Sequence, residues 1–213
     1  MSLDKFMLRG KYSPVFYCCD SEDDHITKYQ IYYPKEINEI NKKFPVIVVV
    51  NGINEPSYQY RHVFEHLASW GFIVVGNYDI DSWEGYSTHA NLELLLQLNK
   101  TEGTVFYEKV DVDNIGVLGH SEGGVGAMNA VTKYKNSFLF KTIYTASIPS
   151  LFIARFMGWD YDVSKLKIPY CMVQGTEPLD SCLISPHSSS KENYKKTPDN
   201  VFKFIPTLSL LYI

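Results

Sequence analysis

Continuous apolar runs alternating with segments of helical periodicity set the plan of the chain. Pro45-Val46-Ile47-Val48-Val49-Val50 is apolar throughout and reads as a central parallel strand covered on both faces. Tyr60, Val63, Phe64, Leu67 and Ala68 then recur at helical spacing, which predicts a helix over Tyr58 to Trp70, closed by Gly71. The strand Phe72 to Val75 follows it. A further helix spans Tyr86 to Asn99, with Leu92, Leu94, Leu95, Leu96 and Leu98 on its apolar side. Ile115 to Leu118, Phe140 to Ala146 and Lys167 to Gly175 read as later strands, and Val201 to Ile205 as the last. Between the final two lies a short polar helix, Pro186 to Lys196. Ahead of all these, Val15 to Cys19 and Ile26 to Tyr33 read as two strands joined by the polar turn Asp20 to Asp24. That turn lacks the glycine and terminal glutamate of a calcium loop, so it reads as a solvated turn.

The candidate chemistry sits where the strand Ile115 to Leu118 stops, at Gly119-His120-Ser121-Glu122-Gly123-Gly124. The segment Val125 to Val131 alternates small and apolar residues and suits a helix packed closely on a sheet. Strand, Gly-x-Ser-x-Gly, helix is the context that a nucleophile elbow requires. Ser121 must take a sharp, strained turn, so Gly119 and Gly123 on either side cannot carry bulk. The hydroxyl is then exposed at the C-terminal edge of the sheet, and the helix start favours negative charge developing there.

Asp111-Val112-Asp113-Asn114-Ile115 running into this elbow resembles the α/β-hydrolase superfamily, within it the compact lipase, cutinase and dienelactone-hydrolase-like branch. The resemblance covers the chain from about Pro45 to about Pro206. It implies an α/β fold in one domain, residues 1–213: a mostly parallel central sheet, an N-terminal antiparallel hairpin and helices on both faces. The implied activity is hydrolysis of a carboxylic ester of a small or medium acyl group, with Ser121 as nucleophile and neither metal nor cofactor. In the resembled family the loop after the first parallel strand carries half of the oxyanion hole. Here that loop is Asn51-Gly52-Ile53, so the resemblance assigns the backbone N–H groups of Ile53 and Glu122 as donors. Asn-Gly is otherwise a hairpin turn, but no strand follows it directly. Gly52 lets the backbone approach a ligand closely. The family's acid follows the strand ending at Gly175, and here the loop reads Gly175-Thr176-Glu177-Pro178-Leu179-Asp180. Asp180 is preferred because the spacing from it to Tyr194 fits the family, with Glu177 as the fallback. Tyr78 to Gly85 borders the cleft; Ser147 to Trp159 either walls an acyl pocket or packs in the core.

The pattern breaks at the C-terminus. The family's catalytic histidine would fall near Leu210, followed by a closing helix, but the sequence reads Pro206-Thr207-Leu208-Ser209-Leu210-Leu211-Tyr212-Ile213 and has no histidine beyond His187. Without an imidazole to take its proton, Ser121 is an ordinary alcohol. His120 adjoins the nucleophile, but consecutive side chains of an elbow point apart. His187 follows Asp180 too closely for a triad without a loop rearrangement, and His89, after the second parallel strand, stays open as a residue facing the cleft. The expected fold is therefore C-terminally incomplete, either an altered terminus of a hydrolase or a pseudo-hydrolase that binds ligand without turnover. The intact elbow favours the first. An uncovered apolar face at that end predicts self-association.

Composition narrows the partners. The net charge of -4, with no basic block, argues against nucleic acid. No apolar run reaches the about 20 residues of a membrane span. Four cysteines do not make a disulfide framework, and free thiols in a cytoplasm are the expectation, with a secreted mature form left open. His62-Val63-Phe64-Glu65-His66 matches an inverted zincin motif, but it lies in a stretch that also looks like the first helix and strand of small hydrolases. The expected partner is a small-molecule ester.

Overall fold

The structure is a computed structural model that describes residues 4–176, 178, 185–204 and 206–208. A short helix α1 (Asp4–Met7) precedes the hairpin β1 (Pro14–Asp20) and β2 (Lys28–Pro34). Then come β3 (Phe44–Val50), α2 (Arg61–Ser69), β4 (Ile73–Asn77), α3 (Tyr86–Leu98), β5 (Val110–His120), α4 (Glu122–Lys133) and β6 (Phe140–Ala146). The chain continues through α5 (Leu151–Phe156), β7 (Tyr170–Gly175), α6 (His187–Lys196), β8 (Lys203–Phe204) and β9 (Thr207–Leu208). The sheet order is β1-β2-β4-β3-β5-β6-β7-β8, with β9 also on β7. β1 pairs antiparallel with β2, and β2 antiparallel with β4; every later pairing is parallel. The mostly parallel sheet that opens on an antiparallel hairpin is thus the α/β architecture the sequence implied.

Two-sided burial follows from the period of β3. Val46, Val48 and Val50 join one core with Ile73, Val75, Ile115 and Val117, closed by Leu92 and Leu95 of α3 and Val125, Ala127 and Met128 of α4. Val49 and Val74 face the other way, into a smaller core with Tyr60, Phe64 and Ala68 at the start and along the length of α2. An uninterrupted valine run is what a strand covered by helices on both faces needs. All the parallel strands therefore end at one edge of the sheet, near Asn51, Asn77, Ser121, Ser147 and Gly175.

Several elements depart from the expectations in detail. β5 starts at Val110, five residues before the expected Ile115, and β7 at Tyr170 instead of Lys167. The helix expected from Tyr58 starts as a 3-10 turn, Ser57–Tyr60, before α2 proper. α5 divides the apolar segment Ser147 to Trp159: Ile148, Ala154 and Trp159 are buried, while Phe152 and Phe156 are 77% and 81% exposed. The last strand, expected over Val201 to Ile205, pairs at Lys203–Phe204 and again at Thr207–Leu208. Pro206, which has no N–H for the ladder, precedes the second stretch, and the register is the same in both, with Tyr170 opposite Lys203 and Gln174 opposite Thr207. Residues 209–213, which hold the position of the family's histidine and on which the expected uncovered face depends, lie outside the described residues.

Phe64 is fully buried and meets Tyr32 edge-on, with ring centroids 5.5 Å apart. Phe64→Ala should cost about 3–5 kcal/mol in urea unfolding, the usual loss for a buried aromatic. Phe202→Ala, at a ring 73% exposed, should stay within about 0.5 kcal/mol of the unmodified chain. Similar losses for the two would show that the smaller core does not carry the stability assigned to it.

Candidate active site

β5 delivers His120 to the sheet edge, and the chain turns sharply at Ser121 before α4 begins. Ser121 has φ 52° and ψ −125°, a region that only a local constraint makes a non-glycine residue adopt. Its N–H donates to the Ala146 carbonyl at 2.9 Å, and its own carbonyl accepts from Gly124 N–H at 2.9 Å. A Cβ at Gly123 would lie 2.2 Å from the Val50 carbonyl oxygen and 2.5 Å from that of Asn51. One at Gly119 would lie 2.2 Å from the Gly123 oxygen. The first turn of α4 therefore rests directly on the ends of β3 and β5, and these two glycines are where it touches.

The loop after β3 comes to the same place. A Cβ at Gly52 would be 3.4 Å from Ser121 Cβ, 2.6 Å from Glu55 Oε2 and 3.3 Å from the Tyr60 hydroxyl. Asn51 is buried and tied at both ends: its side chain donates to the Asp79 carbonyl, and its own carbonyl accepts from Ser82 Oγ at 2.7 Å. Gly52 N–H donates to Tyr60 at 3.0 Å, and Glu55 N–H donates to the Gly52 carbonyl at 3.1 Å. Among the described residues, neither Ile53 N–H nor Glu122 N–H meets an acceptor. For Glu122 this is the normal state of a first-turn helix N–H. Among the described residues, then, the N–H that follows the serine and the one that follows Gly52 in the neighbouring loop are both unengaged.

The resemblance gives Glu122 a role through its backbone N–H alone, but its side chain has a part as well. It is fully buried, and its Oε1 accepts from Trp83 N–H at 3.2 Å. Burial, and then the Asp81 carboxyl beside it, pushes its pKa up to about 8. Asp79, on the same loop, is also raised, chiefly by burial. Asn129 of α4 grips that loop too, donating to the Trp83 carbonyl at 2.8 Å. The segment from Tyr78 to Gly85 therefore does border the elbow, fastened to it by polar side chains. No periodicity or motif marks Glu122 as buried, because an acid in a first helical turn is ordinarily a solvated one.

The histidines are spread out. His120 turns its Nδ1 to the Tyr60 hydroxyl at 2.8 Å and to Glu55 Oε2 at 3.3 Å. His89 stacks on Tyr134 and faces Glu93 at 3.7 Å. His187 opens α6 and lines a cavity of about 400 Å³ with Tyr194, Lys203 and Phe204. Glu65 of the zincin-like motif is paired with Arg61 at 2.7 Å and Arg9 at 3.1 Å. Asp180 and Glu177, the two candidate acids, lie outside the described residues. Among the described residues no side chain hydrogen-bonds the Ser121 hydroxyl. A cavity of about 900 Å³ is lined by residues such as Lys42, Lys43, Asn99 and Lys109. Those residues lead into β3 and β5, so it lies at the opposite end of the sheet from Ser121.

Residues 21–198 match the model of a protein family described as PETase, PET hydrolase-like. No curated protein matches the chain.

Glu122 gives the site a pH signature. Its carboxyl has an ordinary value of 4.5 and one near 8 when folded. Below the first value it is protonated whether the chain is folded or not, and its contribution is complete. Between the two, the unfolded chain releases a proton that the folded chain keeps, so stability falls as pH rises, by at most about 1.4 kcal/mol per pH unit. Glu122→Gln keeps the shape and removes the titration. In urea unfolding at pH 5 and pH 8.5, the variant should gain on the unmodified chain at the higher pH. An equal difference at both would show that Glu122 does not titrate in this way.

Proposed function

This chain belongs to the PET hydrolase-like family, an α/β-hydrolase family, and from that premise we propose that it cleaves carboxylic esters through an acyl-enzyme on Ser121. Membership implies an ester hydrolase; the serine mechanism is our reading of the site. Ser121 Oγ attacks the ester carbonyl carbon, and the carbonyl oxygen becomes an oxyanion. Ile53 N–H and Glu122 N–H are the donors to it, and being backbone groups they need no reorganisation as the charge develops. The tetrahedral species collapses with loss of the alcohol, which leaves with a proton, and water then releases the acid and restores the serine hydroxyl. Asp180 is the proposed acid of the triad. The general base has no counterpart beside Ser121 among the described residues.

The observation that carries this reading is a serine held at φ 52° against the Gly52 loop, with the N–H groups of Glu122 and Ile53 unengaged among the described residues. Exposed Ile53, Tyr58 and Ile80 border the loop, which supports an apolar acyl group. The family's description names PET, an aromatic polyester, and extends the proposed acyl groups to aromatic acids. A second reading, a ligand-binding module without turnover, is favoured by one observation: no described side chain hydrogen-bonds the Ser121 hydroxyl.

Hydrolysis of nitrophenyl acetate and butyrate separates the two. Turnover above buffer that Ser121→Ala lowers by about a thousandfold or more supports the enzyme. A natively folded chain that only matches buffer leaves the binding module. Gly52→Val should lower turnover about a hundredfold, the usual cost of a lost oxyanion donor, whereas Glu122→Gln should stay within about threefold. Undiminished turnover in Gly52→Val would mean that the donor comes from elsewhere.

A further inference from the structure

The Tyr60 hydroxyl meets three partners: Gly52 N–H at 3.0 Å, Glu55 Oε2 at 2.5 Å and His120 Nδ1 at 2.8 Å. A phenol has one proton to give and two lone pairs to accept with. Burial, and then the bond to Glu55, raises its pKa well above the ordinary phenol value, so it keeps that proton. Gly52 N–H can only donate, so it takes one lone pair. The Glu55 carboxylate can only accept, so it takes the proton. One lone pair is left for His120, and Nδ1 must bring the hydrogen. Donor counting thus makes His120 an Nδ1–H imidazole, with Glu55 Oε2 a second acceptor 3.3 Å away.

The same contacts close a ring around the loop. Glu55 N–H holds the Gly52 carbonyl, while Glu55 Oε2 receives the hydroxyl that holds Gly52 N–H. Both polar groups of Gly52 are then fixed. The Gly52–Ile53 peptide is planar and trans, so anchoring the Gly52 carbonyl also fixes the direction of Ile53 N–H, which points the opposite way. No strand or helix does this for the loop, since β3 ends at Val50 and the next turn starts at Ser57.

We propose that Tyr60 is the positioning residue of the oxyanion loop, joining Gly52 to His120, the residue before the nucleophile, through one hydroxyl that accepts from both. The proposal rests on the reading of Ile53 N–H as an oxyanion donor. Tyr60 acts through Gly52 and His120 and needs no contact with substrate.

The full chain is compared with Tyr60→Phe, His120→Asn, whose amide keeps a donor, and His120→Leu, which has none. Nitrogen-15 correlations of the histidine rings read the tautomer, and amide exchange reads Gly52. Phenylboronic acid reads the oxyanion hole, because boron takes the serine oxygen as a fourth ligand while the serine proton passes to solvent. We expect a protonated Nδ1 on His120. Tyr60→Phe should speed Gly52 exchange and weaken boronate binding, each about tenfold. His120→Leu should resemble it, and His120→Asn should stay within about threefold of the unmodified chain. A bare Nδ1 in the unmodified chain overturns the proposal without need of any variant, as does unchanged Gly52 exchange in a folded Tyr60→Phe. If the unmodified chain binds boronate no better than Ser121→Ala, the serine reading fails instead. The tautomer and the exchange still decide the role of Tyr60.

Discussion

Close approach between the start of α4 and the ends of β3 and β5 is the constraint on which the rest of the site depends. The backbone of Gly123 sits where a single methyl would collide with the Val50 and Asn51 carbonyls. The chain leaves β5 so abruptly to reach that position that Ser121 must adopt a positive φ. The strain, of order 1–3 kcal/mol for a non-glycine residue, is offset by burial on both sides of the sheet and by hydrogen bonds from Ser121 N–H and to its carbonyl. The same approach brings the loop after β3 against the serine. Elbow and loop are thus one packing arrangement.

Polar side chains, more than apolar ones, hold that arrangement at the sheet edge. Asn51 ties the end of β3 to the loop around Asp79 and Ser82, and Asn129 and Glu122 tie that loop to α4. Tyr60 ties the loop after β3 to the elbow. Buried polar groups of this kind are costly when left unpaired, so each favours one geometry over its neighbours. Glu122 is the most exposed to a change of conditions, since its buried carboxyl stands beside another acid.

Much of the fold was legible because its signals are local. The valine run of β3, the helical spacing of Val63, Phe64 and Leu67, and the glycines around Ser121 each name an element or a turn without outside help. The Asn51-Gly52 loop needed the resemblance to be read at all. Tyr60 reads from the sequence only as part of an apolar helix face, because its hydroxyl gains meaning only from partners such as His120, sixty positions away. The burial of Glu122 escaped because charge pattern marks an acid as solvated. The pairing of Thr207 and Leu208 has no local signal, since it depends on an edge position where Pro206 costs one ladder bond and the register survives. Asp180 was placed by analogy of spacing, which no local signal supports.

The central claim is that Ser121 becomes acylated. Mass spectrometry of the chain quenched in acid during incubation with nitrophenyl butyrate tests it most directly. The account predicts a butyryl adduct that maps to the peptide containing Ser121 and disappears on chasing with buffer. A folded chain that never carries the adduct, or carries it only on another residue, would contradict it.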